Sequence, residues 1–326
     1  MHSSRWVRGT VMAAAVASCS IAPALAQQDY PNKPIVLVVP FAPGGSSEFL
    51  SRLIGAKLTE AWKQQVVVES RPGGAGNIAM EAVERAKPDG YTLILGHVGT
   101  LAVNPAMFPK LPYDPNKFIP VTMIATVPSL LVVNPNVPAK DFKEFIALAK
   151  AKPGTVYYGS AGNGSSGHLA MEYLKQSAHI DVVHVPYKGT GPMITDLLGG
   201  QTQATFTGAT PLMPHIKQGK LRPIAVGSAK RIAALPDVPT VAEAGIAGFE
   251  TSQWYGILAP PGTPDAIVRK LAAEINRILK TPEVIERLAS DGSIPQGSTP
   301  EEFAKSIAAE KKRWGAVVKT ANIKPE

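Results

Sequence analysis

Cysteine is almost absent: the 326-residue chain holds one, Cys19. A disulfide framework and catalysis by a thiol in the body of the protein are thereby excluded. Long apolar runs are missing too. Beyond the leader no segment reaches 18 uninterrupted apolar residues, so none reads as a membrane-spanning helix. The chain has no H-E-x-x-H and no i, i+4 histidine pair. The five histidines past the leader, His97, His168, His179, His184 and His215, are scattered, which gives metal chemistry no footing. No G-x-S-x-G elbow marks a serine hydrolase. Acid and base are nearly balanced. Without the leader, 31 Lys and Arg face 25 Asp and Glu, too mild and dispersed an excess to imply nucleic acid. What is there is an ordinary globular mixture, 45% hydrophobic and 18% charged, which excludes a disordered or fibrous chain. The length suggests two domains.

Residues 1–26 read as a secretory signal peptide. Arg5 and Arg8 supply the positive start, Val11 to Ala17 a short apolar run, and Ala24-Leu25-Ala26 an A-x-A cleavage site. Cys19 then leaves with the leader. The alternative is a lipoprotein box, Val16-Ala17-Ser18-Cys19, with Cys19 lipidated; the apolar continuation to Ala26 favours the A-x-A site.

Short apolar runs alternate with helix-period runs. Strands are expected at Ile35–Val39, Val66–Val68 and Thr92–Leu95, with helices over Ser47–Trp62 and Asn77–Ala86 between them. Lys87-Pro88-Asp89-Gly90 breaks the second helix. The pattern recurs with strands at Leu130–Val133, Thr155–Tyr158, Val182–Val185, Ala204–Phe206 and Ile224–Val226. Helices over Asp141–Ala151 (Asp141 as cap), Ser166–Gln176 and Thr190–Leu198 separate them. The chain closes on an aromatic strand, Trp254–Leu258, and helices at Pro264–Leu279, Pro282–Ala289 and Pro300–Val318. The expectation is two α/β domains built on open parallel sheets. The Pro-rich stretch 105–138 would be one crossing and the Trp254 region the return, giving residues 27–125 plus 250–326 and residues 126–249.

Two loops echo each other. Pro40 to Ser47 and Gly159 to Ser166 both run from a strand into a helix on glycine and serine. The first amides of a helix have no partner within it and sit at the positive end of the macrodipole. Glycine admits a ligand to that backbone and serine adds a small donor, so such a loop suits an anion. Each loop alone reads as a capped turn. Together, one from each domain, they could grip a carboxylate.

Other signals are weaker. Gly162-x-Gly164-x-x-Gly167 matches the dinucleotide fingerprint formally, but it lies outside the first β-α-β unit and follows a loop-like stretch. His97 ends a strand where open sheets bind ligands, so cleft and core are both open to it. His168, on the first turn of its helix, reads as packing. Lys188 is an anion partner or a solvated charge. Trp254 and Tyr255 read as core or hinge packing rather than a stacking platform. The lysines of the last helix read as a solvated face.

The chain resembles the solute-binding receptors of tripartite tricarboxylate transporters, the Bug receptors. The likeness lies in Tyr30-Pro31-x-Lys33-Pro34-Ile35, Val39-Pro40-Phe41-Ala42-Pro43-Gly44-Gly45, Glu69-x-Arg71-Pro72-Gly73-Gly74-Ala75-Gly76-Asn77 and Lys87-Pro88-Asp89-Gly90-Tyr91-Thr92-Leu93. It continues in Val185-Pro186-Tyr187-Lys188-Gly189, Leu198-Gly199-Gly200-Gln201, Pro214-His215-Ile216, Pro236-Asp237-Val238-Pro239-Thr240 and Gly256-Ile257-Leu258-Ala259-Pro260-x-Gly262-Thr263-Pro264. The resemblance implies a monomeric periplasmic binding protein of the type II-like, two-domain α/β fold, with no enzymatic activity, cofactor or metal. Its cleft would close on a carboxylate, which a membrane permease receives; a receptor that only docks to a sensor protein is the alternative role.

By the same resemblance two loops act as pincers, through backbone groups, small side chains and bridging waters. In the first these are Phe41, Ala42, Gly44, Gly45, Ser46, Ser47 and Glu48. In the second they are Ser160, Ala161, Asn163, Ser165 and Ser166. Asn77, His97, Thr100, Tyr187, Gly189 and Thr207 would lie nearby. Many relatives carry Asp where Glu48, Gln203 and Thr207 stand. Losing the acid at Thr207 removes a partner for an ammonium group, so a di- or tricarboxylate or an aromatic carboxylate is expected. The competing class, a secreted serine hydrolase of small esters, requires a cleft serine with a histidine base and an orienting acid.

Overall fold

The computed structural model describes residues 30–320 and Lys324. The leader, its A-x-A site and Cys19 lie outside the described residues. The chain runs β1 (Ile35–Val39), α1 (Ser46–Trp62), β2 (Val66–Ser70), α2 (Asn77–Glu84) and β3 (Thr92–His97). A widened turn, Gly99–Val103, enters the short α3 (Asn104–Met107). β4 (Ile119–Val133) follows, then α4 (Phe142–Ala151), β5 (Tyr157–Ser160), α5 (Ser166–Ala178), β6 (Val183–Pro186), α6 (Thr190–Leu198) and β7 (Ala204–Gly208). α7 (Met213–Lys217), β8 (Arg222–Val226) and β9 (Ser252–Ala259) lead to α8 (Asp265–Leu279), α9 (Pro282–Ser290), β10 (Ile294–Pro295) and α10 (Pro300–Thr320).

Two sheets share one strand. β2, β1 and β3 pair in parallel, and β9 adds antiparallel to β3. β6, β5 and β7 pair in parallel in the second sheet. β4 is 15 residues long and belongs to both. Its first part, Ile119 to Pro128, pairs antiparallel with β9. From Ser129 onward it pairs antiparallel with β7 and, from Leu130, with β8. The sheets are therefore mixed: the βαβ units are parallel as expected, and the strands that join the halves are not. Pro120 and Pro128 interrupt the sequence pattern of β4. A register shift follows Pro120, and Pro128 stands where the ladder changes partner, positions that tolerate a missing N–H.

Helices cover both faces of each sheet, which explains the near-continuous apolar strands. α8 shows the principle. Ile267, Val268, Leu271, Ala272, Ile275, Ile278 and Leu279 recur at three- and four-residue steps and are buried against the first sheet, with Leu37, Val39 and Ile257 in the same core. α10 closes the opposite face through Phe303, Ile307, Trp314 and Val318. Glu310 on it accepts from the indole N–H groups of Trp254 (3.0 Å) and Trp314 (2.8 Å), so Trp254 is packing. Asp141 caps α4, accepting from the Glu144 N–H at 2.8 Å.

Candidate functional site

The first loop leaves β1 and enters α1 without a side-chain cap. Gly45, the N-cap residue, has extended backbone (φ −107°, ψ 175°) and offers no oxygen to the first amides. Ser46 and Ser47 are buried at this uncapped end. Glu48 is engaged within its own loop. Its carboxylate folds back to accept from the Gly44 N–H at 2.8 Å and from Arg52 Nε at 2.7 Å. The Gly44 bond and then the Arg52 guanidinium hold it below the usual carboxylate range. Glu48 therefore shapes the loop and occupies the Gly44 N–H.

The second loop leaves β5 and enters α5, which Ser165 caps by accepting from the His168 N–H at 3.4 Å. Ser160 is fully buried. Its Oγ lies 2.6 Å from His184 Nε2 and accepts from the Gly162 N–H at 3.1 Å. The Gly164 N–H is bonded to His168 Nδ1 at 3.1 Å. Ala161 and Asn163 sit between these anchors, half-buried.

The halves meet across glycine. A methyl group on Gly45 would lie 3.3 Å from Thr190 Oγ1, and one on Gly189 3.0 Å from Ala42 Cβ. Gly189 also has φ +127°, a backbone that side chains resist. The first loop is thus seated on the turn that opens α6. The floor is made by the strand ends. A methyl on Gly208, at the end of β7, would be 3.1 Å from Ser46 Oγ, Gln253 Nε2 and Val127 Cγ1. Tyr255 is buried beside Ser46 and Ser47 and donates to Gln253 Oε1.

Several expected residues stand behind this surface. His97 is buried, stacked on Phe41 (centroids 4.4 Å apart, 12° between planes) and edge-on to Tyr255. Its Nδ1 accepts from the Gly99 N–H at 2.6 Å, so the neutral ring carries its proton on Nε2. Thr100 is enclosed and bonds the His97 backbone. Asn77 is buried and accepts from Asn104 Nδ2 at 2.7 Å. The Tyr187 hydroxyl donates to Asp196 at 2.7 Å, and Gln203 accepts from the Tyr157 N–H at 2.9 Å. Thr207 is buried beside Gly167, on the first turn of α5. Lys188 is exposed. The sequence reading missed Gln253 and Gly208, which a single strand's pattern does not single out, and placed Tyr255 only as packing. A cavity of about 360 Å³ opens beside the Gly44–Gly45 turn, lined from both halves by Glu48, Arg52, Thr210, Pro211, Arg287 and Asp291.

Ser160 and His184 form the serine–imidazole pair a hydrolase would need. Yet Ser160 is enclosed, and His184 is stacked between Tyr158 and His168. Burial pushes the His184 ring down to about 3, which makes it a poor base at neutral pH.

Burial likewise pushes His97 down to about 4, against an ordinary value of 6.5. The unfolded chain takes up a proton near pH 6.5 while the folded chain refuses it until about pH 4. Stability is then full above 6.5 and falls as pH drops through that window. His97 alone should remove about 2 kcal/mol between pH 7.5 and pH 5. Urea unfolding at the two pH values checks this; equal midpoints would mean that His97 is not held neutral.

Two halves, each α/β, sharing a strand and meeting through glycine loops at helix starts, have the architecture of a two-lobed binding protein. Residues 50–323 match the tripartite tricarboxylate transporter family receptor, TctC. Protein BugT of Bordetella pertussis is 36% identical over 311 residues, 95% of this chain and 95% of that one. The structure of Rpa4515 from R. palustris with adipate superposes at a TM-score of 0.89 and 38% identity, covering 91% of this chain and all of that one. MatC from Rhodopseudomonas palustris, with bound malate, gives 0.82 and 35%, covering 89% of this chain and all of that one. The chain belongs to the TctC family of tripartite tricarboxylate transporter receptors, the Bug proteins. These are periplasmic binding proteins and not enzymes, which sets the hydrolase reading aside.

Proposed function

We propose that the protein captures a small carboxylate without an ammonium group, a di- or tricarboxylate or an aromatic carboxylate. Residues 27–125 with 250–326 form one lobe and residues 126–249 the other. The carboxylate lies on the free amides at the start of α1 and is gripped from the far side by the 160–166 loop. Contacts to both lobes exist only in the closed form, so the ligand drives closure about the β4 and β9 crossings. The leader sends the protein to the periplasm, where the closed form passes its ligand to the permease of a tripartite transporter.

The observation that carries this reading is the uncapped start of α1, held against the opposite lobe with Ser46 and Ser47 buried. A buried helix end without partners calls for a ligand or water to complete it. The ammonium exclusion has its own support: Glu48 is tied to Gly44 and Arg52, and position 207 is threonine. The adipate and malate of the two relatives fit the same class. The cavity beside Gly44–Gly45 has room for the distal end of such a molecule.

Isothermal titration with adipate, malate and aspartate tests it. Adipate or malate should bind, and at a hundred times its dissociation constant should stabilise the fold by about 2.7 kcal/mol. Preference for aspartate would overturn the ammonium exclusion. Failure of every carboxylate in a thermal-shift screen would overturn the class.

A further inference from the structure

The second loop is anchored by two histidines that take no part in the proposed grip on the ligand. Tyr158, His184 and His168 form a stack in that order, with centroids 4.9 and 4.1 Å apart and the two imidazoles 4° from parallel. His184, from β6, holds the start of the loop through Ser160 at 2.6 Å. His168, from α5, holds its end by accepting the Gly164 N–H at 3.1 Å. Only Ala161, Gly162 and Asn163 lie between the two anchors.

This clamp has a protonation requirement written into its chemistry. A backbone N–H can only donate, so the Gly164 bond exists only while His168 Nδ1 is unprotonated. A proton there would set donor against donor. It would also place a cation face to face with His184 at 4.1 Å, and a second proton would add like-charge repulsion. The charged groups facing the stack are few. On α5, Glu172 accepts from Tyr158 Oη and from Lys175 Nζ, each at 2.8 Å. Glu172 favours the charged His168 and Lys175 opposes it, while burial, the largest influence, holds His168 below its ordinary value.

We propose that His168, stacked on His184, is a positioning residue that clamps the second loop in its ligand-gripping shape only while its own ring is neutral, so that acid loosens the loop and lets a carboxylate go. This rests on the carboxylate-capture reading for its consequence, but not for the clamp itself.

The clamp is tested without ligand. Histidine ring nitrogen shifts and backbone amide exchange are followed by NMR on the mature protein from about pH 7.5 to 4.5, spanning the range where a histidine below its usual value titrates. His168 Nδ1 should be unprotonated at the upper end. As His168 titrates, Gly164 exchange, corrected for its intrinsic rate, should rise about tenfold, the worth of one hydrogen bond. Gly164 unmoved through that titration would overturn the proposal. Adipate affinity supplies the second arm. His168→Ala should weaken it about tenfold at pH 7.5. His168→Asn, whose Oδ1 can accept from Gly164 without titrating, should recover most of the loss and bind better than wild type below the His168 titration. Dividing variant by wild-type affinity at each pH removes the protonation of adipate itself. Parallel acid profiles for wild type and His168→Asn would overturn the proposal. Should adipate fail to bind wild type at pH 7.5, the carboxylate reading fails alone and the exchange result stands on its own.

Discussion

Gly45→Asp should leave the protein as stable as wild type or slightly more so, and should weaken adipate binding at least about 100-fold. The two effects have one cause. Gly45 is the N-cap of α1, with extended backbone that aspartate adopts readily at that position. An aspartate there turns its carboxylate onto the amides of Ser47 and Glu48, which no side chain caps in the native protein. It gains a few tenths of a kcal/mol over glycine as a cap, with a further small gain from the macrodipole. The same carboxylate occupies the place proposed for the ligand. Two charge-assisted hydrogen bonds, about 1.5–3 kcal/mol each, are then lost to the guest, and about 1.4 kcal/mol is a factor of ten. Its Cβ also meets Thr190 Oγ1 at 3.3 Å. Titration calorimetry with urea unfolding on one preparation measures both numbers. Native-like affinity would show that the anion does not lie on the start of α1.

Gly208→Val should abolish closure while leaving each half folded. The first added carbon already stands 3.1 Å from Ser46 Oγ of one lobe, Gln253 Nε2 on the return strand and Val127 Cγ1 on β4. Valine suits a strand, but its two further methyls have no room between Ser46, Gln253 and Val127. The expected cost to the unliganded fold is about 1–3 kcal/mol of overpacking, mainly against Val127. The expected cost to adipate binding is at least about 100-fold, because contacts to the second lobe are never completed. Gly208→Ala should fall between, since a shift of a few tenths of an ångström accommodates it. Small-angle scattering should show wild type contracting on ligand addition and the valine variant unchanged. Contraction of the valine variant would mean that the Ser46–Gly208 contact does not gate closure.

Much of the fold was legible because local chemistry agreed with it. Thr190–Leu198 was bounded by Gly189 and the Gly199-Gly200 pair and forms as expected. Asp141 caps its helix through its own carboxylate. The failures have physical reasons. Only Leu130–Val133 was readable of β4, because Pro120 and Pro128 mimic strand ends. Both are tolerated, one at a register shift and one where the strand changes partner. β5 was expected over Thr155–Tyr158 and lies at Tyr157–Ser160. Thr155 is held in a turn by Lys152, and Gly159-Ser160 carries no strand propensity of its own. Of the candidate site, the glycine and serine loops were legible as helix starts, and helices do begin there. Gln253 and Gly208 were not legible, because their meaning lies in what the other half brings within 3.1 Å. The His184–Ser160 contact spans 24 residues and two strands, beyond any local pattern.

The shared strand has a consequence for how the molecule can be taken apart. Severing the chain at Pro128 and again near Ser252 would cut across the ladders rather than along them, since the first part of β4 keeps β9 and the rest keeps β7 and β8. Each half is therefore expected to retain its own paired sheet, and what the cuts remove is the mechanical coupling of one half to the other.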